Sequence, residues 1–230
     1  MNWITRAGSS LLRTLTLSLR DASDLEGESS ALLPALLVIG ARFALARLRR
    51  PFLVAAVLAG LPSGLDSDSP RVSAVIESMG HTQLLGAILP SLVYPLALAV
   101  AIWAMVLLHD GAIRFDVALQ IGYLTCVCRV LQEALELLIL WLRGTATLGS
   151  PTDLFVPVGL GMALPDVALP IRQALDALNV FSIWQVAIVA DALQTAASFP
   201  TRKAWFVAAA AWLLIEAIRV GGYLLLYQAI

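Results

Sequence analysis

Of the 230 residues, 60% are apolar and only 13% charged, and mean hydropathy is +0.86. Soluble domains carry about 25% charge, so an ordinary water-soluble globule is excluded, and the expected fold class is an all-α membrane protein. Fifteen basic and 16 acidic residues leave a net charge of −1, too little for the cationic field that nucleic-acid binding needs.

Residues 1–30 read as a cytoplasmic amphipathic segment and linker, and residues 31–230 as a polytopic helical membrane domain. No signal peptide is expected, because Arg and Ser break the early apolar stretches. On a helical wheel Ile4, Leu11, Leu12, Leu15 and Leu19 share one side, opposite Arg6, Arg13 and Arg20. With Trp3 near the start, this helix suits an anionic membrane surface or the flank of its own protein. Asp21 to Ser30 is acidic, Ser-rich and linker-like.

Residues 31–62 have room for one span only, because Pro51 to Leu61 falls short of the roughly 20 residues a crossing requires. That span must carry some of Arg42, Arg47, Arg49 and Arg50 into the inner interface, where arginine snorkels. Residues 63–81 are polar and rich in turn formers, and read as an outer loop. A second span covers about Thr82 to Leu108, with Pro90 and Pro95 inside it. A third runs from about Phe115 to Leu142 and is closed by Arg143 and Gly144. From Ser150 to Leu178 four prolines interrupt a semi-apolar stretch, which reads as an interfacial or re-entrant piece ending in a short helix. A fourth span covers Asn179 to Phe199 and a fifth Ala204 to Gln228, giving about five transmembrane helices. Counting basic residues in short loops puts the N-terminus in the cytoplasm and the C-terminus outside. Cys126 and Cys128, two residues apart on a helix, point in different directions and read as buried apolar side chains.

Asn179-Val180-Phe181-Ser182-Ile183-Trp184 resembles the D-x-F-S/T-x-W start of the penultimate helix in bacterial members of the Yip (Ypt/Rab-interacting-protein-like) family, with Phe181, Ser182 and Trp184 as the matching positions. Phe115, Ala118, Leu119 and Tyr123 resemble the family's F-x-x-A-L-x-x-x-Y start of its third helix, and the basic turn before the last helix is similar too. The resemblance covers roughly residues 80–230. It implies five spans, a cytoplasmic N-terminus and a location in a prokaryotic inner membrane, where some bacterial relatives accompany ABC-type exporters. Asp191 and Ala192 stand where the family has an apolar residue and Gly, the proline after the third-helix Tyr is missing, and the eukaryotic D-L-Y-G-P motif is absent. Binding of prenylated GTPases is therefore not implied.

Ionisable residues within spans are the most informative chemistry, since an unpartnered charge at mid-bilayer costs about 2.5–3.5 kcal/mol on insertion scales. Arg129, Glu133 and Glu136 share one face of the third span, Glu216 and Arg219 one face of the fifth, and Asp191 lies among Trp184, Gln194, Thr195 and Ser198 on the fourth. At about 1.5 Å per residue, Arg129 and Glu216 lie at one depth and Glu133 and Arg219 at another. The third and fifth spans are thus expected to be neighbours, joined by Arg129 with Glu216 and by Glu133 with Arg219. Asp191 would be neutral in a dry site or would meet Arg42 or Arg47.

No catalytic residue, metal or cofactor is expected. His81 and His109 fall in opposite loops, and neither H-E-x-x-H, a Walker A loop, G-x-S-x-G nor G-x-G-x-x-G is present. The expected partners are the lipid bilayer and another membrane protein such as a transporter subunit. The expected role is a non-enzymatic accessory or organising subunit. The alternative is a small secondary transporter or channel using Arg129, Glu133, Asp191 and Glu216.

Overall fold

The computed structural model describes residues 32–60, 69–164, 167 and 169–228. The expected N-terminal amphipathic helix, with Trp3, Arg6, Arg13 and Arg20, lies outside them. Among the described residues all regular structure is helical: α1 (Leu32–Ala59), α2 (Pro70–Leu108), α3 (Phe115–Arg143), α4 (Leu169–Asp176), α5 (Val180–Ala196) and α6 (Thr201–Gln228), with three short 3-10 turns between α3 and α4. Two segments, Pro70–Leu108 and Thr201–Gly222, are long and apolar enough to cross a membrane.

Local signals explain most boundaries. α1 is continuous over 28 residues although Pro51 lies within it and has no N–H to give the carbonyl of Arg47. α2 begins twelve residues before the expected Thr82, because Ser69 and Pro70 make a helix start: Ser69 Oγ accepts the Val72 N–H at 3.3 Å and Pro70 occupies the first turn. The stretch 70–81 is therefore helix rather than outer loop, and His81 sits on a helix rather than in a loop. At 39 residues, α2 is about 58 Å long, well beyond a hydrocarbon core of about 30 Å. α3 stops at Gly144, whose φ of 75° suits a residue without Cβ. α4 is the short helix expected at the end of the proline-broken stretch.

α5 is capped by a reciprocal pair. Asn179 Oδ1 accepts the Ser182 N–H at 3.0 Å and Ser182 Oγ accepts the Asn179 N–H at 3.0 Å. Asn179→Ala removes the first of these bonds together with the Nδ2 bonds to the Asp176 carbonyl and Gln132 and is expected to lower stability by at least about 1 kcal/mol, read as a fall in the thermal midpoint in detergent. An unchanged midpoint would mean that neither the cap nor the Nδ2 bonds of Asn179 contribute to stability.

α2, α3, α5 and α6 form a closed ring: α2 packs on α3, α3 on α5, α5 on α6 and α6 on α2, while α1 lies across the outside of α2 and α3. The ring is filled by Leu98, Ile102 and Val106 of α2, Ile121 of α3, Ile188 and Leu193 of α5, and Val207 and Ala211 of α6. A smaller cluster of Phe52, Ala56, Leu140, Leu148 and Val156 ties α1 to the end of α3 and the turns beyond it. The outward faces are apolar as well. Leu85, Leu89, Leu92 and Leu96 of α2, Trp141 and Leu142 of α3, Val180 and Ile183 of α5, and Phe206, Leu213 and Ile218 of α6 are all exposed.

The arginines of α1 are not at the expected end. Arg42 pairs with Glu133, and Arg49 with Glu136 and the Leu154 carbonyl, so they belong to the half of the bundle that holds the end of α3. Arg114, Arg202 and Lys203 mark the opposite end. The asymmetry of basic residues that set the expected orientation is thus reversed among the described residues.

Candidate functional site

The centre of the ring is polar at the level where each of the four helices contributes one side chain. From α2, Tyr94 is 8% exposed and lies with its ring centroid 3.8 Å from the guanidinium carbon of Arg129 on α3. Its hydroxyl donates to Gln185 Oε1 of α5 at 3.5 Å, and Gln185 Nε2 donates to the Thr125 carbonyl of α3 at 3.3 Å. Arg129 continues across the ring to Glu216 of α6, and Arg219 Nε donates to the other oxygen of Glu216 at 2.6 Å. Glu216, 5% exposed, thus accepts from two arginines at once. In a region of low dielectric a carboxylate held this way stays buried because its charge is met on both oxygens.

Two further pairs extend this centre toward the end of α3. Arg42 Nε donates to Glu133 Oε2 at 3.0 Å, its Nη2 bonds Glu133 Oε1, and its Nη1 donates to Ser91 Oγ at 3.2 Å, so a bidentate ion pair joins α1, α2 and α3. Arg49 lies 3.7 Å from Glu136, which accepts from Gln132 at 3.1 Å. Gln132 in turn accepts from Asn179 Nδ2 at 3.3 Å, linking the chain of contacts to the cap of α5. Asp176, at the end of α4, accepts the N–H groups of Val158 at 2.8 Å and Gly159 at 2.5 Å and holds the proline-broken loop against the bundle. Between these groups lies a cavity of about 220 Å³ lined by Arg129, Glu136, Asp176, Ser182, Glu216 and Arg219, among others. Its size and polar walls suit several waters, and Arg129 Nε, enclosed without a protein partner among the described residues, is one donor for them.

Of the pairs expected from matched depth, the structure brings Arg129 and Glu216 together. It does not join Glu133 to Arg219: Arg42 holds Glu133, and Arg219 binds Glu216 three residues earlier on its own helix. Nor are α3 and α6 side by side. They face each other across the ring, and the long Arg129 side chain spans the gap. Asp191 stands apart from the network. It meets neither Arg42, which is engaged, nor Arg47, whose guanidinium carbon lies 5.3 Å from the Phe43 ring centroid, and its enclosed Oδ2 has no hydrogen-bond partner among the described residues. Asp191→Asn is therefore expected to leave the thermal midpoint equal to or above the parent's. A loss of more than about 1 kcal/mol would reveal a cation partner.

Of the three motif positions on α5, Phe181 packs half-buried against the ring core, Ser182 forms the cap and lines the cavity, and half-buried Trp184 keeps its indole N–H without an acceptor among the described residues. Cys126 and Cys128 are buried and unbridged. Tyr94, Gln185 and Gln132 belong to the network although the sequence does not single them out, and Asn179, the first residue of the motif on α5, joins it through Gln132. The one signal in the sequence is the spacing of Asn179 and Ser182 at the head of an apolar run, a capping pattern that says nothing of the network. No family model, curated protein or solved structure matches the chain.

Proposed function

We propose that this is a multi-pass, non-enzymatic membrane protein with a Yip-like layout of five crossings, an accessory or organising subunit that works through helix and lipid contacts beside a transporter such as an ABC-type exporter. The observation carrying this reading is the distribution of polarity. Large apolar side chains face outward on every long helix, while Arg42, Arg129, Glu133 and Glu216 turn inward and neutralise one another. That is the arrangement a hydrocarbon solvent favours, and it commits these four charges to one another. Helix-to-helix contact with another subunit is favoured by the half-buried small residues Ala187, Ala209 and Ala210, while Ala208 and Ala211 serve close packing inside the ring.

The test has two steps. Membranes from expressing cells are washed with alkaline carbonate, and the protein is expected to stay in the pellet; release would end the membrane reading. The tagged protein is then purified from its native host in mild detergent, and a stoichiometric membrane partner is expected. Recovery alone would favour the second reading, a small transporter or channel, whose specific support is the polar cavity beside Arg129, Glu136 and Glu216. Solute or ion flux in liposomes containing only this protein would establish that reading. A reporter fused to the C-terminus decides between the orientation expected from sequence and its inverse, which the described arginines favour.

A further inference from the structure

The four arginines of α1 divide into two pairs. Arg42 and Arg49, seven apart, turn inward to Glu133 and Glu136. Arg47 and Arg50, three apart, turn outward, are exposed, and have no ion pair among the described residues. They face α2 across a separate cavity of about 200 Å³, whose other polar walls are Glu77, His81 and Gln83. The wall of this cavity ends at Leu84, where the polar start of α2 gives way to its apolar run. On the neighbouring helix Arg50 lies two residues before Phe52, which packs with Leu140 beside exposed Trp141 and Arg143. Trp and Arg gather at membrane interfaces. From the cavity toward the middle of the bundle run two exposed apolar stripes, Phe43 and Leu36 on α1 and Leu85, Leu89 and Leu92 on α2.

We propose that the α1–α2 cavity is a binding site for one glycerophospholipid carrying a primary amine, of the phosphatidylethanolamine kind. The inference rests on the membrane reading and adds a ligand to it. Arg47 and Arg50 present two guanidinium groups to the phosphodiester, the chemistry for which arginine forks are suited. His81 and Gln83 add donors. Glu77, on the rim opposite the arginines, accepts from the ammonium, so one wall of the site is matched to each charge of a zwitterionic headgroup. The acyl chains follow the two stripes, which would otherwise meet only bulk lipid. A free phosphate would use the arginines and leave both Glu77 and the stripes without a role.

The experiment uses the full chain in nanodiscs made from equal parts phosphatidylethanolamine, phosphatidylcholine and phosphatidylglycerol with the same acyl chains, followed by release and native mass spectrometry of the lipid that stays bound. One retained phosphatidylethanolamine is expected. Arg47→Gln with Arg50→Gln should lower its retention by about tenfold, the equivalent of one lost charge-assisted contact, while Arg47→Lys with Arg50→Lys should keep most of it. Glu77→Gln should erase the preference over phosphatidylglycerol. Phosphatidylcholine, whose trimethylammonium cannot donate a hydrogen bond, should be retained less than phosphatidylethanolamine. Equal retention by the parent and the double Gln variant would overturn the proposal, as would indifference to the headgroup amine. Displacement of the lipid by millimolar inorganic phosphate would also overturn it, by making this a soluble-anion site. Both arginines are exposed, so the variants should match the parent's thermal midpoint in lipid-free detergent. Carbonate extraction of the double Gln variant separates the outcomes: a protein that stays in the membrane but loses its lipid supports the site, whereas one released from the membrane refutes the reading beneath it.

Discussion

Glu216→Gln is expected to cost about 3 kcal/mol of stability, more than any other single charge removal in the ring. The principle is that removing one member of a buried ion pair leaves its partner's charge uncompensated, at about 3–5 kcal/mol. The lower end applies because Arg129 and Arg219 keep 23% and 30% side-chain exposure toward the cavity, where water meets part of their charge. Glu216 serves both arginines, whereas loss of Arg129 leaves Glu216 still held by Arg219. Arg129→Gln alone should therefore cost less than Glu216→Gln. In the double variant the Arg129 guanidinium that Glu216→Gln strands is itself gone, so its loss should fall short of the sum of the single losses by about 1–2 kcal/mol. Denaturation of the four proteins in one detergent measures the cycle. Strict additivity would mean that Arg129 and Glu216 do not share a contact in the folded protein, and equal single losses would mean that Arg219 does not share the load.

This pair was legible in the sequence because depth along a helix follows from residue count, and Arg129 and Glu216 match in depth. Lateral placement does not follow from residue count, so equal depth alone matches Glu133 with Arg219, while the fold brings it to Arg42. Arg219 had a nearer acceptor three residues back on its own helix, and Glu133 had one on α1, a helix whose depth the sequence left open. Helix ends marked by local chemistry were readable, as at Gly144 and Asn179. The start of α2 differs from the expectation because the polar residues among 70–81 favour a loop on composition alone, whereas Ser69 and Pro70 mark the start of a helix. Tyr94 was invisible for a different reason. In an apolar run between two prolines, an aromatic residue that meets a cation cannot be told from one that meets lipid until the neighbouring helix is in place.

What sets that neighbouring helix is Gly122. A Cβ built there would lie 2.4 Å from the Pro95 carbonyl oxygen and 3.2 Å from its carbon, so the backbones of α2 and α3 touch at this crossing. Backbone cannot rotate out of the way as a side chain can, and Gly122→Ala must push the two helices apart. Overpacking of this kind costs about 1–3 kcal/mol, and about 2 is expected here. The displacement should be felt at the network too, because Tyr94 adjoins Pro95 and Arg129 lies two turns along α3 from Gly122. Gly86 provides the contrast, since a Cβ there meets nothing within 4 Å. Gly86→Ala relieves the helix-interior cost of glycine, up to about 1 kcal/mol, with no clash to offset it, so it should hold or raise stability. Opposite signs for these two substitutions, on helices that pack on each other, would locate the constraint at the crossing itself. A Gly122→Ala protein as stable as its parent would mean that α2 and α3 do not approach this closely, and the stacking of Arg129 on Tyr94 would lose its support with it.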